Sequence, residues 1–198
     1  MMQKVLIINC HQPYPVSPGQ LNASLVSRMQ QQLQNSGYEV ALTIVNEGYQ
    51  IAKEVEKHLW ADVIIIQTPV YWMGLPWIGK KYIDEIFSAG AAVGFFYSDG
   101  RSSQDPKRNY GMGGGMAPRR YMLSLTYNAP AEAFGNPEEP FMAGKGVDDM
   151  FLPLHLSFRF LGMQALPTFA CHDVHKAPEI AADFARLEAH LRAHFPAV

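Results

Sequence analysis

Residues 61–76 read ADVIIIQTPVYWMGLP. A run of β-branched residues that stops at Pro69 predicts a strand buried on both faces, the pattern of a parallel sheet covered by helices. The loop that follows, in the segment from Thr68 to Pro76, then stands at the carboxyl end of that strand, where open parallel sheets receive their ligands. Val70 and Met73 complete this segment. Tyr71 and Trp72 offer flat faces, and the backbone N–H groups of the loop suit the polar edge of a planar heterocycle.

Outward in both directions, strand and helix alternate. Lys4 to Asn9 (KVLIIN) reads as a first buried strand, and Leu21, Leu25, Met29 and Leu33 recur every four residues in a helix that Gly37 closes. Tyr38 to Val45 supplies a second strand, a short helical face at Val55, Leu59 and Trp60 follows, and Asp62 to Thr68 is the third strand. Pro76 opens the next helix, carrying Ile78, Tyr82, Ile83, Ile86 and Phe87. After a glycine-rich excursion come a fourth strand, Arg119 to Tyr127, a helix interrupted early by Pro153, a last strand from Gln164 to Val174, and a final helix on Ile180, Phe184, Leu187 and Leu191. Parallel strands need crossover helices, so this order predicts an α/β fold: a doubly wound, five-stranded parallel sheet of flavodoxin-like order 2-1-3-4-5 with helices on both faces. In that order the loops after strands one, three and four meet at one sheet edge and make the site.

A chain of 198 residues with 48% apolar content suits one domain, 1–198, with one core. Sixteen basic against eighteen acidic residues, net −2, leave no nucleic-acid footprint, and no apolar run reaches the ~18 residues that span a bilayer, so no membrane insertion is expected. The expected partners are small molecules or other protein chains. Cys10 and Cys171 lie far apart without a CxxC pattern and no signal sequence opens the chain, which predicts a reduced, cytoplasmic protein.

The loop from Ser17 to Ser24, SPGQLNAS, leads from the first strand into the first helix. Free N–H groups at a helix start carry partial positive charge and cradle phosphate, with the Ser17 and Ser24 hydroxyls and the Asn22 amide as further donors. Ordinary N-capping by the same residues is the competing reading. With the loop at Tyr71, the cradle points to a flavin nucleotide. The run Gly111 to Gly115 follows no strand and lacks GxGxxG spacing, so it is read as a lid or interface loop whose Tyr110 can stack on a ring. No HExxH, cysteine cluster or GxSxG accompanies the seven histidines, so neither metal nor acyl-transfer chemistry is expected.

Taken together, KVLIIN, SPGQLN, LWADVIIIQTPVYWMGLPW with KKYID, SDGR, KRNYG, YMLSLTYNAP and FLGMQALPTF closely resemble, in order and over nearly the whole chain, the flavodoxin-like NAD(P)H:quinone reductases called modulator of drug activity B. The resemblance implies an FAD-binding homodimer that carries two electrons from NADPH to quinones; nicotinamide and quinone sharing one pocket over the flavin face must bind in turn, which predicts hydride transfer with ping-pong kinetics. Carried over by position, it implies a pyrophosphate and ribityl site at Ser17, Gly19, Gln20, Leu21, Asn22 and Ser24. Ring contacts fall at Val70, Tyr71, Trp72 and Met73 and at Thr126, Tyr127, Asn128 and Ala129, with Tyr110 as a further FAD contact. Trp72, Tyr71 and Asn128 are the expected catalytic residues. One departure stands out: between Ala129 and Gly146 the chain has neither the tyrosine nor the histidine that better-known quinone reductases use to manage charge on the reduced ring. The competing readings are an azo- or nitro-compound reductase on the same fold, a flavodoxin-type electron carrier, and a flavin-free interaction module using Trp72, Trp77 and Phe141. A net charge of −2 is weak for the acidic docking surface of a carrier.

Overall fold

The computed structural model describes residues 3–197; Met1, Met2 and Val198, at the two ends of the expected domain, lie outside the described residues. Five strands align in the order β2-β1-β3-β4-β5, all pairs parallel: β1 Lys4–Asn9, β2 Glu39–Ile44, β3 Val63–Pro69, β4 Arg120–Thr126 and β5 Gln164–Ala165. A sixth, β6 Phe169–Cys171, also pairs with β4. The expected last strand is therefore broken in two. Pro167 lies in the gap and has no N–H to give a ladder, while the Leu166 N–H still reaches the Tyr121 carbonyl at 2.7 Å.

Side-chain alternation along the strands builds two cores. Val5, Ile7, Val63, Ile65 and Met122 pack beneath helices α1 (Gln20–Asn35) and α6 (Ile180–His194), through Leu25, Met29, Leu33, Leu187 and Leu191. Leu6, Ile8, Ile64, Ile66, Leu123 and Leu125 face the other side, toward α2 (Ile51–Trp60), α3 (Trp77–Gly90) and the pair α4 (Val147–Met150) and α5 (Leu152–Phe160). Every residue of β3 is buried, which is why its sequence shows no polar alternation.

The stretch between α3 and β4 is pinned by backbone. Phe96 bridges Gly114 in antiparallel sense, Tyr97 donates to the Gly113 carbonyl at 2.8 Å, Gly115 donates to Phe95 at 2.9 Å, and Met116 donates to Leu161 at 2.9 Å. A Cβ built on Gly114 would stand 2.2 Å from the backbone of Leu161 and Gly162. The glycine run is thus three strands of backbone in contact, and the expected swinging lid does not lie in residues 113–115.

Candidate functional site

The loop after β1 is folded on itself. Tyr14 and Ser17 exchange backbone hydrogen bonds at 3.0 and 2.9 Å, closing a turn over Pro15 and Val16. Gly19 then caps α1 in the left-handed conformation (φ 89°), and no side chain caps the helix. Among the described residues, the N–H groups of Gln20, Leu21 and Asn22 have no partner in the protein, and the first turn holds no acidic side chain. This is an open anion cradle.

His11 was not singled out by its sequence context, yet it shapes this cradle. Its ring nitrogen Nε2 lies 3.0 Å from the Ser17 carbonyl, and a Cβ on Gly19 would fall 2.1 Å from the ring. Burial lowers the His11 pKa while the hydrogen bond to Ser17 opposes that shift, so the neutral ring donates through Nε2–H to the carbonyl and fills the space that makes glycine obligatory at 19. The only sequence signal was the glycine itself.

Asn22 departs from expectation. Its amide turns inward, accepting from Gln67 Nε2 at 2.8 Å and donating to Thr126 Oγ1 at 3.3 Å, so its side chain braces the sheet and only its backbone faces the cradle. Ser24 and Gln20 are exposed, whereas Ser17 and Leu21 are partly buried.

After β3, Tyr71 and Gly74 exchange backbone hydrogen bonds at 3.0 and 3.1 Å, and both residues between them are left-handed, Trp72 at φ 48° and Met73 at φ 65°. That is the type I′ pattern, in which glycine or asparagine is usual. Trp72 is 96% exposed and Met73 48%, and neither backbone N–H has a partner among the described residues. Tyr71 is not a free flat face: its hydroxyl lies 3.0 Å from Ser17 Oγ and 3.3 Å from the Gln12 carbonyl, and its ring meets Tyr14 edge-on at 5.2 Å. It bolts the two turns together. Val70 donates to the Thr126 carbonyl at 3.0 Å, which joins this turn to β4.

After β4, Thr126 and Tyr127 are buried and Asn128 is exposed, with Ala129 accepting from Asp173 N–H at 3.1 Å. The Tyr127 ring stacks on His172 with centroids 5.5 Å apart and planes 8° apart, and burial raises the tyrosine's pKa and lowers the histidine's. Between Ala129 and Gly146 the chain does lack tyrosine and histidine, but His172, arriving from the end of β6, stands beside the same turn.

Tyr110 is the one expected contact that the fold sets apart. It packs near Phe160 and the Arg101 guanidinium, with ring centroids 6.1 Å apart in the first case. It lines a cleft of about 790 Å³ between α3 and α5 with Phe87, Phe96, Met112 and Leu156. This cleft is at the end where β4 begins, while the three loops stand where β4 ends, roughly 20 Å away at about 3.3 Å per residue. One chain cannot present Tyr110 and Trp72 to the same ring, nor can its own residues 98–116 shelter an adenosine at the Ser17 cradle.

The order 2-1-3-4-5, with the loops after β1, β3 and β4 together at the carboxyl edge of the sheet, defines a doubly wound, flavodoxin-like protein. A family model described as a flavodoxin-like fold matches residues 3–195, and the chain belongs to that family. The NADPH:quinone oxidoreductase MdaB of Haemophilus influenzae is 41% identical to it over 191 residues, covering 96% of this chain and 98% of its own length. An uncharacterised protein of Schizosaccharomyces pombe is 47% identical over 180 residues, 89% of each chain. A solved structure from Klebsiella pneumoniae, proposed to be a quinone reductase, superposes with a TM-score of 0.78 at 24% identity, over 98% of this chain and 86% of its own, which bears on the fold alone.

Proposed function

We propose that this protein is a flavin-dependent NAD(P)H:quinone reductase. The observation that carries the reading is the meeting, at one sheet edge, of a helix start without a side-chain cap, an exposed tryptophan on a turn with two N–H groups unpartnered among the described residues, and the exposed Asn128. The donor set fits a flavin nucleotide: an anion cradle at Gln20 to Asn22, with donors for the edge of a polar ring one strand and two strands away. The 41% identity to a named NADPH:quinone oxidoreductase supports the same reading.

In this arrangement Ser17, Gly19, Gln20, Leu21, Asn22 and Ser24 hold the pyrophosphate and ribityl chain, and Val70 to Met73 with Thr126 to Ala129 hold the ring. The bound flavin supplies the hydride chemistry that no side chain here offers. Trp72 walls the open face and orders donor and acceptor in turn over one surface, so the kinetics are ping-pong. The N–H groups at Asn128 and on the Trp72 turn favour negative charge at the ring edge. His172 stands beside the same Asn128 turn, where burial favours its neutral ring.

FAD rather than FMN is the proposed cofactor, supported by the long loop from Cys10 to Gly19. Because Tyr110 lies at the far sheet end, its proposed contact comes from the partner subunit of a homodimer. The apolar cleft of Phe96, Tyr110, Met112 and Leu156 is the surface that favours such a partner. NADPH is the proposed donor.

The purified protein should be yellow, release FAD on acid treatment, and bleach on addition of NADPH with turnover restored by a soluble quinone. A colourless protein without NADPH:quinone activity after reconstitution with FAD or FMN would sink the reading.

A further inference from the structure

On the sheet face beneath α1, the three central strands carry apolar residues in register: Val5 beside Val63, then Ile7 beside Ile65 and Met122. Two residues further toward the carboxyl ends, the row turns polar. It reads Asn9, Gln67, Ser124, and all three are buried, Gln67 and Ser124 completely. Ser124 Oγ donates to Gln67 Oε1 at 2.7 Å, Gln67 Nε2 donates to Asn22 Oδ1 at 2.8 Å, and Asn22 Nδ2 donates to Thr126 Oγ1 at 3.3 Å. The Gln67 carbonyl also accepts from Cys10 N–H at 2.9 Å.

A satisfied buried amide adds little stability over an apolar residue of the same shape. What it adds is direction, because hydrogen bonds fix distance and angle where apolar contact lets elements slide. Gln67 lies at the crossing of all three ligand-facing segments. Its main chain holds the start of the β1 loop, its amide holds the first turn of α1, and through Ser124 and Asn22 it reaches β4 on both sides of Leu125.

We propose that Gln67 is a positioning residue that locks the phosphate-facing start of α1 to the ring-facing ends of β3 and β4. A flavin nucleotide is thereby received by two subsites at one fixed separation. The proposal rests on the flavin reading. A ligand that spans two rigidly related subsites binds more tightly than its halves, since the second half engages from a complex already formed. Loosening the lock lowers that gain while each half keeps its own affinity.

The test uses the full-length chain stripped of flavin, as wild type, Gln67→Met and Ser124→Ala, each verified as folded by circular dichroism at the titration temperature. Each is titrated with FAD, with riboflavin and with ADP. For Gln67→Met the Kd for FAD should rise about tenfold while those for riboflavin and ADP stay within about twofold of wild type. Ser124→Ala removes one of the two contacts of the Gln67 amide and should show a smaller rise of the same selective kind; it decides the matter should Gln67→Met fail to fold. FAD affinity that falls no more than that of the two fragments, or does not fall, overturns the proposal and leaves Gln67 a packing residue. A wild-type chain that binds neither FAD nor riboflavin overturns the flavin reading and the proposal with it, a result distinct from equal losses in the variants.

Discussion

Two turns of this chain place glycine against intuition. The Tyr71–Gly74 turn needs two left-handed residues and fills them with Trp72 and Met73. The Gly113–Gly115 run uses three glycines whose φ angles any residue can adopt. The first accepts about 1–2 kcal/mol of backbone strain per residue; the second accepts the loss of every side chain so that three backbones can touch. On the proposed flavin reading, the difference separates a surface that meets a ligand from a joint that holds the chain. At the first, the side chains and the two N–H groups without a partner among the described residues are turned outward. At the second, a side chain has nowhere to go.

That contrast breaks if Gly114→Ala is tolerated. Its Cβ would overlap backbone atoms of Leu161 and Gly162 at 2.2 Å, so the loss should be about 3 kcal/mol, read as a lowered urea midpoint, with flavin affinity per folded molecule unchanged. Acid should act on the same joint with nearly equal force. His58 is fully buried near the rings of Tyr82, Phe87 and Phe95, and Phe95 accepts from Gly115 at the root of the glycine run. Burial holds the His58 pKa down at about 4, against 6.5 for a free histidine. The folded core accepts only the neutral ring, so this contribution is whole above pH 6.5 and is lost as pH falls from there toward 4. It amounts to roughly 3 kcal/mol. Across that window the denaturation midpoint of wild type should fall relative to that of His58→Phe as pH falls; parallel curves would show that His58 plays no part.

Gly19 shares features of both regions, being left-handed and pressed against a ring. Gly19→Ala should cost about 2 kcal/mol and displace His11. Its distinctive readout is weakened flavin binding, measured by fluorescence titration. The smallest effect on stability, and the sharpest test of the contrast, is Trp72→Gly. Relief of the left-handed tryptophan should offset the added freedom of the unfolded chain, leaving stability unchanged or raised by about 1 kcal/mol. The same change should lower kcat/KM for quinones about tenfold or more. A drop in stability without a drop in turnover would reverse the roles assigned to the two turns.

The strand order, and with it the meeting of the loops after strands one, three and four, was legible because apolar runs ending at a polar residue or proline alternate along the chain with helical stretches. Other features depend on distances that periodicity does not carry. The spacing of Leu21, Leu25 and Met29 marks the buried side of α1, but it does not say that Asn22 shares that side, because a polar residue there is explained only by Gln67 and Thr126 across the sheet. Tyr110 looks local to a loop, and only the pairing of residues 113–116 with Phe95, Tyr97 and Leu161 reveals that the loop returns to the opposite end of β4. His11 and His172 gain meaning from Gly19 and Tyr127, partners 8 and 45 positions distant in sequence. The left-handed pair at Trp72 and Met73 has no sequence signal, since the residues that ordinarily announce such a turn are missing.

The interrupted strand at Pro167 bears on how the sheet meets other molecules. A parallel sheet that ended in one long straight strand would offer a continuous ladder of unsatisfied amides and carbonyls, to which another chain could add itself. Here that side finishes in two pieces of two and three residues, with a gap holding a residue that has no amide hydrogen. No incoming strand finds more than a short row of partners before the register fails. Growth by sheet extension is stopped at this margin, so the longer edge of the sheet is the opposite one, the six residues of β2.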